Sequence, residues 1–193
     1  HATKIFGIGE GGVVITSNPE LSDNVHKSST FGFSSGRIAR CRGGNYKLSE
    51  YHAAVGLAQF DRLESLIARY ESKRSSYMEM LCEIEELGFL EGGKDNLSST
   101  VNVRIKGCSA IDVVKALKCS DINAGIWWED TLHKNPVFSS GLGGETYSHG
   151  DYSSLPVADS LYNSIVALPF SSSLSEQDVE KIMTSLNRFF KEL

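Results

Sequence analysis

The residues that could carry chemistry stand at the beginning of the sequence, where one lysine precedes a glycine-dense stretch. After Lys4 come four glycines, Gly7, Gly9, Gly11 and Gly12. Glycine lets the backbone turn sharply and come close to a ligand. A primary amine held in such a place can act as a nucleophile or move a proton. We therefore predict that Lys4 carries the chemistry.

The same glycines also match two phosphate-binding motifs. Their spacing, Gly7-x-Gly9-x-x-Gly12, is that of a dinucleotide fingerprint and, with Val14, that of a kinase glycine-rich loop. A dinucleotide fingerprint must open a helix, whereas the β-branched run over 13–16 predicts a strand. A kinase would need V-A-I-K, H-R-D and D-F-G segments, and the sequence has none of them. A tight hairpin between two short strands remains the structural alternative.

Composition and charge exclude several classes of function. The 193 residues suit one large or two small domains, and a formal charge of −5 argues against a nucleic-acid partner, which favours a basic surface. No apolar run approaches the roughly 18 residues of a membrane span, and there is no signal-peptide pattern. We expect a soluble, cytoplasmic protein without a membrane partner. The four cysteines and five histidines lack metal-ligand spacing, so we predict no metal.

Local patterns predict the elements that position these groups. Asn18 and Pro19 favour a helix that runs to about Ser28. The Gly, Ser and Arg-rich loop over 29–44 is either a solvated basic loop or a clamp for phosphate groups. Another helix begins at Ser49, with small residues that permit close packing against a neighbouring element or subunit. A long amphipathic helix follows over 61–86 and is ended by Gly88.

The second half of the sequence predicts a compact α/β unit. A polar loop over 91–99 suggests a domain boundary, and a long irregular stretch over 129–152 suggests a functional loop. Capping boxes at Ser109–Asp112 and Ser175–Asp178 open two helices that run to about Lys118 and Phe190. The remaining elements are strands over 101–105, 122–128 and 166–168 and a short helix over 157–164.

Several separated segments together resemble the DegT/DnrJ/EryC1/StrS sugar aminotransferases. Residues 1–4 (H-A-T-K) and 9–12 (G-E-G-G) are similar to the family's S-F-H-x-T-K…G-E-G-G segment, whose lysine forms a Schiff base with pyridoxal phosphate. Residues 44–50 (G-N-Y-K-L-S-E), with the A-A and G-L pairs after them, resemble the G-x-N-Y-R-M-S-E…A-A-x-G-L signature. The family's C-terminal landmarks are matched, in the expected order, at 155–158, 168–169 and 174–176.

The resemblance implies an α/β fold of the fold type I pyridoxal-phosphate transferases. Residues 1–60 would be the C-terminal part of the large, mixed-sheet cofactor domain, residues 61–94 a long linking helix and loop, and residues 95–193 a small C-terminal α/β domain. The sequence opens at His1, without a methionine and in what its pattern suggests is a strand. We therefore expect the C-terminal part of a longer protein, inactive without the upstream half of its cofactor site.

The resemblance also implies a reaction. Lys4 would bind pyridoxal phosphate and then act as general base and acid, so that an amino group passes from a donor, expected to be glutamate, to a nucleotide-linked keto-deoxysugar. Such reactions serve the biosynthesis of surface polysaccharides or secondary metabolites. Schiff-base formation needs an unprotonated amine, which proteins obtain by burying a lysine or placing a cation beside it.

The same resemblance implies roles for four further residues, Asn45, Lys47, His133 and His1. Asn45 would donate its amide to the cofactor phosphate of the neighbouring subunit, in a homodimer with shared active sites. Lys47 stands where the family has an arginine and cannot form a bidentate fork. His133 matches a P-L-H-x-Q-P segment beside the substrate, although residues 127–130 (W-W-E-D) depart from the family's pattern. For His1, a substrate contact and a buried, hydrogen-bonded structural role are both open.

Two alternative functions remain. The chain could be a non-catalytic or truncated family member with an assembly or regulatory role, which the missing N-terminal half motivates. The dehydratase branch of the family is disfavoured, because it replaces the reactive lysine by histidine and position 4 here is lysine.

Overall fold

The computed structural model describes residues 1–90, 97–127, 130–136 and 155–193. The predicted loop over 91–99, the irregular stretch over 129–152 and the end of the strand predicted over 122–128 therefore lie partly outside the described residues. The chain divides into two compact units, His1–Ser65 and Leu66–Leu193. The finer division at residues 60 and 94 stays a prediction.

The first unit contains two helices, α1 (Pro19–Ser29) and α2 (Glu50–Phe60). Helix α1 begins as predicted, because the Asn18 side chain accepts hydrogen bonds from the first free N–H groups, those of Glu20 and Leu21, at 2.9 and 3.2 Å. The Ser49 side chain caps α2 in the same way. Both helix starts were therefore predictable from a capping residue alone.

The strand predicted over 13–16 is not formed. No partner strand lies beside this segment in His1–Ser65, all of which the structure describes, and the side chains of Val13 and Ile15 are 83% and 90% exposed. A strand needs a neighbour for its backbone hydrogen bonds, so a β-branched run alone does not make one. The unit has only isolated bridges, Thr30 with Asn45 and Phe33 with Ala39.

Most of helix α3 (Leu63–Leu81) belongs to the second unit, and the helix ends five residues earlier than predicted. The chain turns after Leu81 and forms the short strand β1 (Leu87–Gly88). Leu87 is buried and pairs with Ile105, while Gly88 pairs with Arg104. Gly88 is thus part of a strand rather than the residue that ends the helix.

A three-stranded antiparallel sheet in the order β1-β2-β3 forms the centre of this unit. Strand β2 (Val101–Ile105) pairs with β3 (Ile165–Leu168) so that Val103 faces Val166. The segment predicted as a strand over 122–128 contributes one bridge, in which Gly125 and Ala167 exchange hydrogen bonds of 3.0 and 2.7 Å.

Among the described residues of the second unit, three more α-helices are present: α4 (Ala110–Cys119), α5 (Pro156–Tyr162) and α6 (Glu176–Lys191). The predicted capping box is confirmed at Ser175 and Asp178, which cap each other's backbone N–H groups. At α4, Ser109 does accept a hydrogen bond from Ile111, but the Asp112 carboxylate lies 3.5 Å from Lys115 instead of returning to the cap.

The core of the second unit lies between the sheet and helices α3, α4 and α6. Its most buried large side chains come from all of these elements: Tyr77, Leu81, Val101, Val103, Val113, Leu117, Val166 and Leu186. Every second residue of β2 faces this core, the alternation expected of a half-covered sheet. Helix α3 therefore packs into the same α/β core that the sequence predicted for the second half of the chain.

Within the described ranges, no helix is both long and apolar enough to cross a bilayer. In those same ranges, no three His, Cys, Asp or Glu side chains are grouped as metal ligands would be. The expected cytoplasmic location and the expected lack of a metal stay predictions.

Candidate active site

Lys4 lies in an exposed turn at the start of the first unit. Its backbone N–H donates to the carbonyl of His1 at 3.1 Å, and its side chain is open to solvent. Neither flank forms a strand, so the hairpin alternative is not realised. Further along the chain, an added Cβ at Gly12 would meet no heavy atom within 4 Å. An amine in this position is accessible to a bulky ligand, but it does not have the burial that the sequence analysis expects of a Schiff-base lysine.

His1 is hydrogen-bonded but exposed, so it is not the buried structural histidine that the sequence left open. Its Nδ1 accepts the backbone N–H of Thr3 at 3.2 Å and lies 2.8 Å from the Thr3 hydroxyl. Its Nε2 lies 3.4 Å from a carboxylate oxygen of Glu10. Residues 1–10 therefore fold back so that His1 and Glu10 lie close together. The substrate role of His1 stays a prediction.

Asn45 lies on a segment whose backbone pairs with the end of α1. The N–H of Phe31 donates to the Gly44 carbonyl at 2.9 Å, and the N–H of Tyr46 donates to the Ser29 carbonyl at 3.0 Å. This pairing uses backbone groups and leaves the Asn45 side chain exposed. The amide predicted to bind the cofactor phosphate is thus free to bind an external group.

Lys47 lies over an aromatic ring that the sequence analysis did not connect with it. Its Nζ lies 5.0 Å from the centroid of Phe31, a cation–π contact. Phe31 adopts a positive φ of 57°, unusual for a bulky residue. The predicted substrate contact of Lys47 stays a prediction, and the structure adds Phe31 as the group that orients this lysine.

His133 belongs to the second unit, on the short 3-10 helix Leu132–Lys134. Its side chain is only 6% exposed, and its Nε2 lies 3.4 Å from Asp159 Oδ1, close enough for charge attraction but without hydrogen-bond geometry. The imidazole therefore packs against α5 rather than opening toward solvent. The substrate contact predicted for His133 is not tested by this placement.

Asp159 lies at the centre of a polar cluster with Thr131 and Lys134, which the sequence analysis did not predict. Its Oδ1 accepts hydrogen bonds from the Thr131 hydroxyl at 3.2 Å and from Lys134 Nζ at 2.7 Å. The bond from Lys134 is the main cause that lowers the pKa of the Asp159 carboxyl, and the same bond raises the pKa of Lys134. No spacing rule joins residues so far apart in the chain, and only the fold brings them together.

We predict that Asp159 titrates below the usual aspartate pKa of about 3.9. Because its pKa in the folded protein is lowered, the stability that it contributes is present above the unfolded pKa and is lost as pH falls through the folded value. A ¹³C NMR titration of the carboxyl group should give this low midpoint, and Lys134→Met should raise it. A midpoint that does not respond to Lys134→Met would rule out the assigned cause.

The chain is similar to proteins of one family over most of its length. The model of the DegT/DnrJ/EryC1/StrS aminotransferase family matches residues 1–187. Protein Rv3402c of Mycobacterium tuberculosis is 28% identical over 194 residues, which cover 96% of this chain and 44% of that protein. EpsN of Bacillus subtilis, named as a pyridoxal phosphate-dependent aminotransferase, is 28% identical over 151 residues, which cover 77% of this chain and 37% of that protein.

A solved structure shows the fold. The crystal structure of DesI, determined in the presence of its TDP-sugar product, matches with a TM-score of 0.78 at 24% sequence identity and covers 97% of this chain and 47% of that one. This likeness shows a mixed α/β fold of the aminotransferase type. The chain spans less than half the length of the two curated relatives described above. Since the family model matches nearly every residue, the chain belongs to the DegT/DnrJ/EryC1/StrS aminotransferase family.

Proposed function

We propose that this chain is part of an enzyme that uses pyridoxal phosphate to move the amino group of glutamate onto a nucleotide-linked keto-deoxysugar. One observation carries the proposal: the family model matches residues 1–187. This range includes Lys4, whose segment resembles the family's Schiff-base motif and which lies exposed in a turn. The TDP-sugar product of DesI and the name of EpsN support the choice of substrate class and cofactor.

The residues of the first unit fit such a cofactor. Lys4 offers an accessible primary amine, the group that reacts with an aldehyde. Asn45 offers an exposed amide, a donor suited to a phosphate oxygen. In a homodimer with shared active sites, Asn45 of one subunit would hold the phosphate bound in the other.

When bound, pyridoxal phosphate supplies an aldehyde that receives the amino group and a ring that withdraws electrons from the reacting carbon. The remaining work belongs to the chain's own side chains. Lys4 Nζ takes the proton from Cα of the amino donor and returns a proton on the acceptor side, as general base and then acid. His1, Lys47 and His133 are the proposed contacts to the substrate.

The half-reaction with the amino donor tests this proposal without knowledge of the sugar. The full-length protein, loaded with pyridoxal phosphate and mixed with glutamate, is expected to release one equivalent of 2-oxoglutarate per site. Keto-deoxysugars linked to TDP, UDP or GDP would then be added one at a time. One of them is expected to act as the amino acceptor, so that 2-oxoglutarate is released in repeated turnovers. A folded, cofactor-loaded protein that releases no 2-oxoglutarate would contradict the proposal and favour the non-catalytic alternative.

A further inference from the structure

We propose that one face of α2, formed by His52, Gly56 and Gln59, positions the glycine segment that follows Lys4. In this proposal His52 and Gln59 are positioning residues, which act on the reaction through Lys4 rather than by touching substrate. The importance of Lys4 rests on the proposed function above. The packing of α2 on the glycine segment is independent of that function and can be tested separately.

The three residues share one side of the helix. Steps of four and three residues bring side chains to the same helix face. The segment over 7–9 runs along this face in the opposite direction. An added Cβ at Gly9 would lie 2.6 Å from His52 Nε2, and an added Cβ at Gly56 would lie 3.6 Å from Ile8 Cγ2. At the far end, Gln59 Nε2 donates to the carbonyl of Gly7 at 3.3 Å.

His52 is held in place by the residue that caps its own helix. The Ser49 hydroxyl oxygen accepts the backbone N–H of His52 at 3.3 Å and lies 2.9 Å from His52 Nδ1. The hydroxyl can therefore donate its proton to Nδ1, which directs the other edge of the imidazole, with Nε2, toward Gly9. Gly9 has a φ of +95°, a conformation that favours glycine, and a side chain there would also collide with the ring.

Gln59 connects the helix to the backbone of Lys4. Gly7, whose carbonyl it binds, is folded closely onto the turn: an added Cβ would lie 2.5 Å from the Ala2 carbonyl oxygen and 3.1 Å from that of Lys4. Gly7 can hardly move without moving Lys4. The second polar atom of this amide, Gln59 Oε1, is buried without a hydrogen-bond partner among the described residues. The Gln59 amide is thus hydrogen-bonded to the turn and not to solvent.

This arrangement explains how a flexible segment can hold a reactive amine. Glycines give the unfolded and loosely held chain many conformations, and a misplacement of about 1 Å can lower a rate by about 10²-fold. One hydrogen bond, from Gln59, and two places of close packing, at His52 and Gly56, restrict residues 7–9 along one helix face. Loss of one contact is therefore expected to loosen the turn and to disturb the reaction of Lys4.

The test compares Gln59→Leu and His52→Leu with Gln177→Leu and His26→Leu, matched changes at exposed residues outside the α2 face. In the full-length protein without cofactor, the ¹⁵N order parameters of Gly7 and Gly9 are expected to fall from about 0.85 toward 0.6 only in the first pair. In the loaded protein, kcat is expected to fall by about 10²-fold, with little change in KM.

Substitutions of other sizes at positions 52 and 56 test the same packing if a leucine variant does not fold. His52→Gln keeps a polar nitrogen near the position of Nε2 and should restore most of the order and rate that His52→Leu loses. Gly56→Ala fits at 3.6 Å from Ile8 and should be neutral, whereas Gly56→Leu should loosen the segment.

Unchanged order parameters in folded Gln59→Leu and His52→Leu proteins would overturn the positioning proposal, as would equal losses in the control pair. If the parent protein shows no amino transfer at all, the proposed function fails while the NMR comparison still decides whether α2 orders the segment. If transfer occurs but the variants keep parental kcat, the function stands and the positioning role is refuted.

Discussion

Replacement of Lys4 by alanine is expected to reduce kcat for amino transfer by about 10⁴-fold or more. The expected loss is large because, in the proposed function, the same Nζ would both react with the cofactor aldehyde and move the proton at Cα of the donor. General acid–base catalysis alone contributes about 10²–10⁴-fold, and the loss of the reactive amine adds to this. The measurement is release of 2-oxoglutarate from glutamate in single-turnover and steady-state assays.

Two other variants sharpen this result. Lys4→Arg keeps the positive charge but has no amine that can react with an aldehyde, so it should be as inactive as Lys4→Ala. Lys115→Ala removes an exposed lysine on α4 that lies 3.5 Å from Asp112, and it should keep parental activity. Activity above a tenth of the parental value in Lys4→Ala would show that another group carries the chemistry.

Truncation of Leu81 to alanine is expected to lower the free energy of unfolding of the second unit by about 2–5 kcal/mol. Leu81 is the last residue of α3 and is 0% exposed in the core. Its removal leaves a cavity between α3 and the sheet, and the close-packed neighbours can fill it only in part. Urea unfolding followed by circular dichroism would measure the change as a lower midpoint with an unchanged slope.

The matched control for this truncation is Leu193→Ala. Leu193 belongs to the same unit and is 73% exposed, so its truncation should change stability by no more than about 0.5 kcal/mol. Equal losses in the two variants would mean that α3 does not contribute to the core as described.

The parts of the fold that the sequence predicted well depend on local rules. Asn18 begins α1 because its side chain satisfies free N–H groups within three residues, and Ser175 with Asp178 begins α6 for the same reason. Strand β2 was visible from its alternating apolar residues. Each of these signals needs only neighbours in the chain, so each can be recognised without knowledge of the tertiary structure.

The predictions of secondary structure fail where contacts between residues far apart in the chain determine which element forms. The segment over 13–16 has the composition of a strand but no neighbouring strand in its unit. Helix α3 ends at Leu81, and the chain then forms β1, in which Leu87 pairs with Ile105. A helical pattern that continues past Leu81 cannot reveal that pairing. Gly88 does not end the helix, since it lies in β1 and pairs with Arg104.

The candidate site shows the same division. Lys4 was predicted from its type and from the glycines that follow it, and the structure places it in an open turn. The contacts of Asp159 with Thr131 and Lys134 were not predictable, since they join segments far apart in the chain. The α2 face was not predicted either. The spacing of His52, Gly56 and Gln59 puts them on one side of the helix, but no local pattern indicates that the segment over 7–9 packs there.

The most direct test of the account is to locate the lysine that reacts with the cofactor. The full-length protein would be incubated with pyridoxal phosphate, reduced with borohydride, digested and mapped by mass spectrometry. The account predicts one labelled site, Lys4, and no label in the Lys4→Ala protein. A label on another lysine, such as Lys47, with Lys4 unmodified would contradict the central claim that Lys4 carries the chemistry.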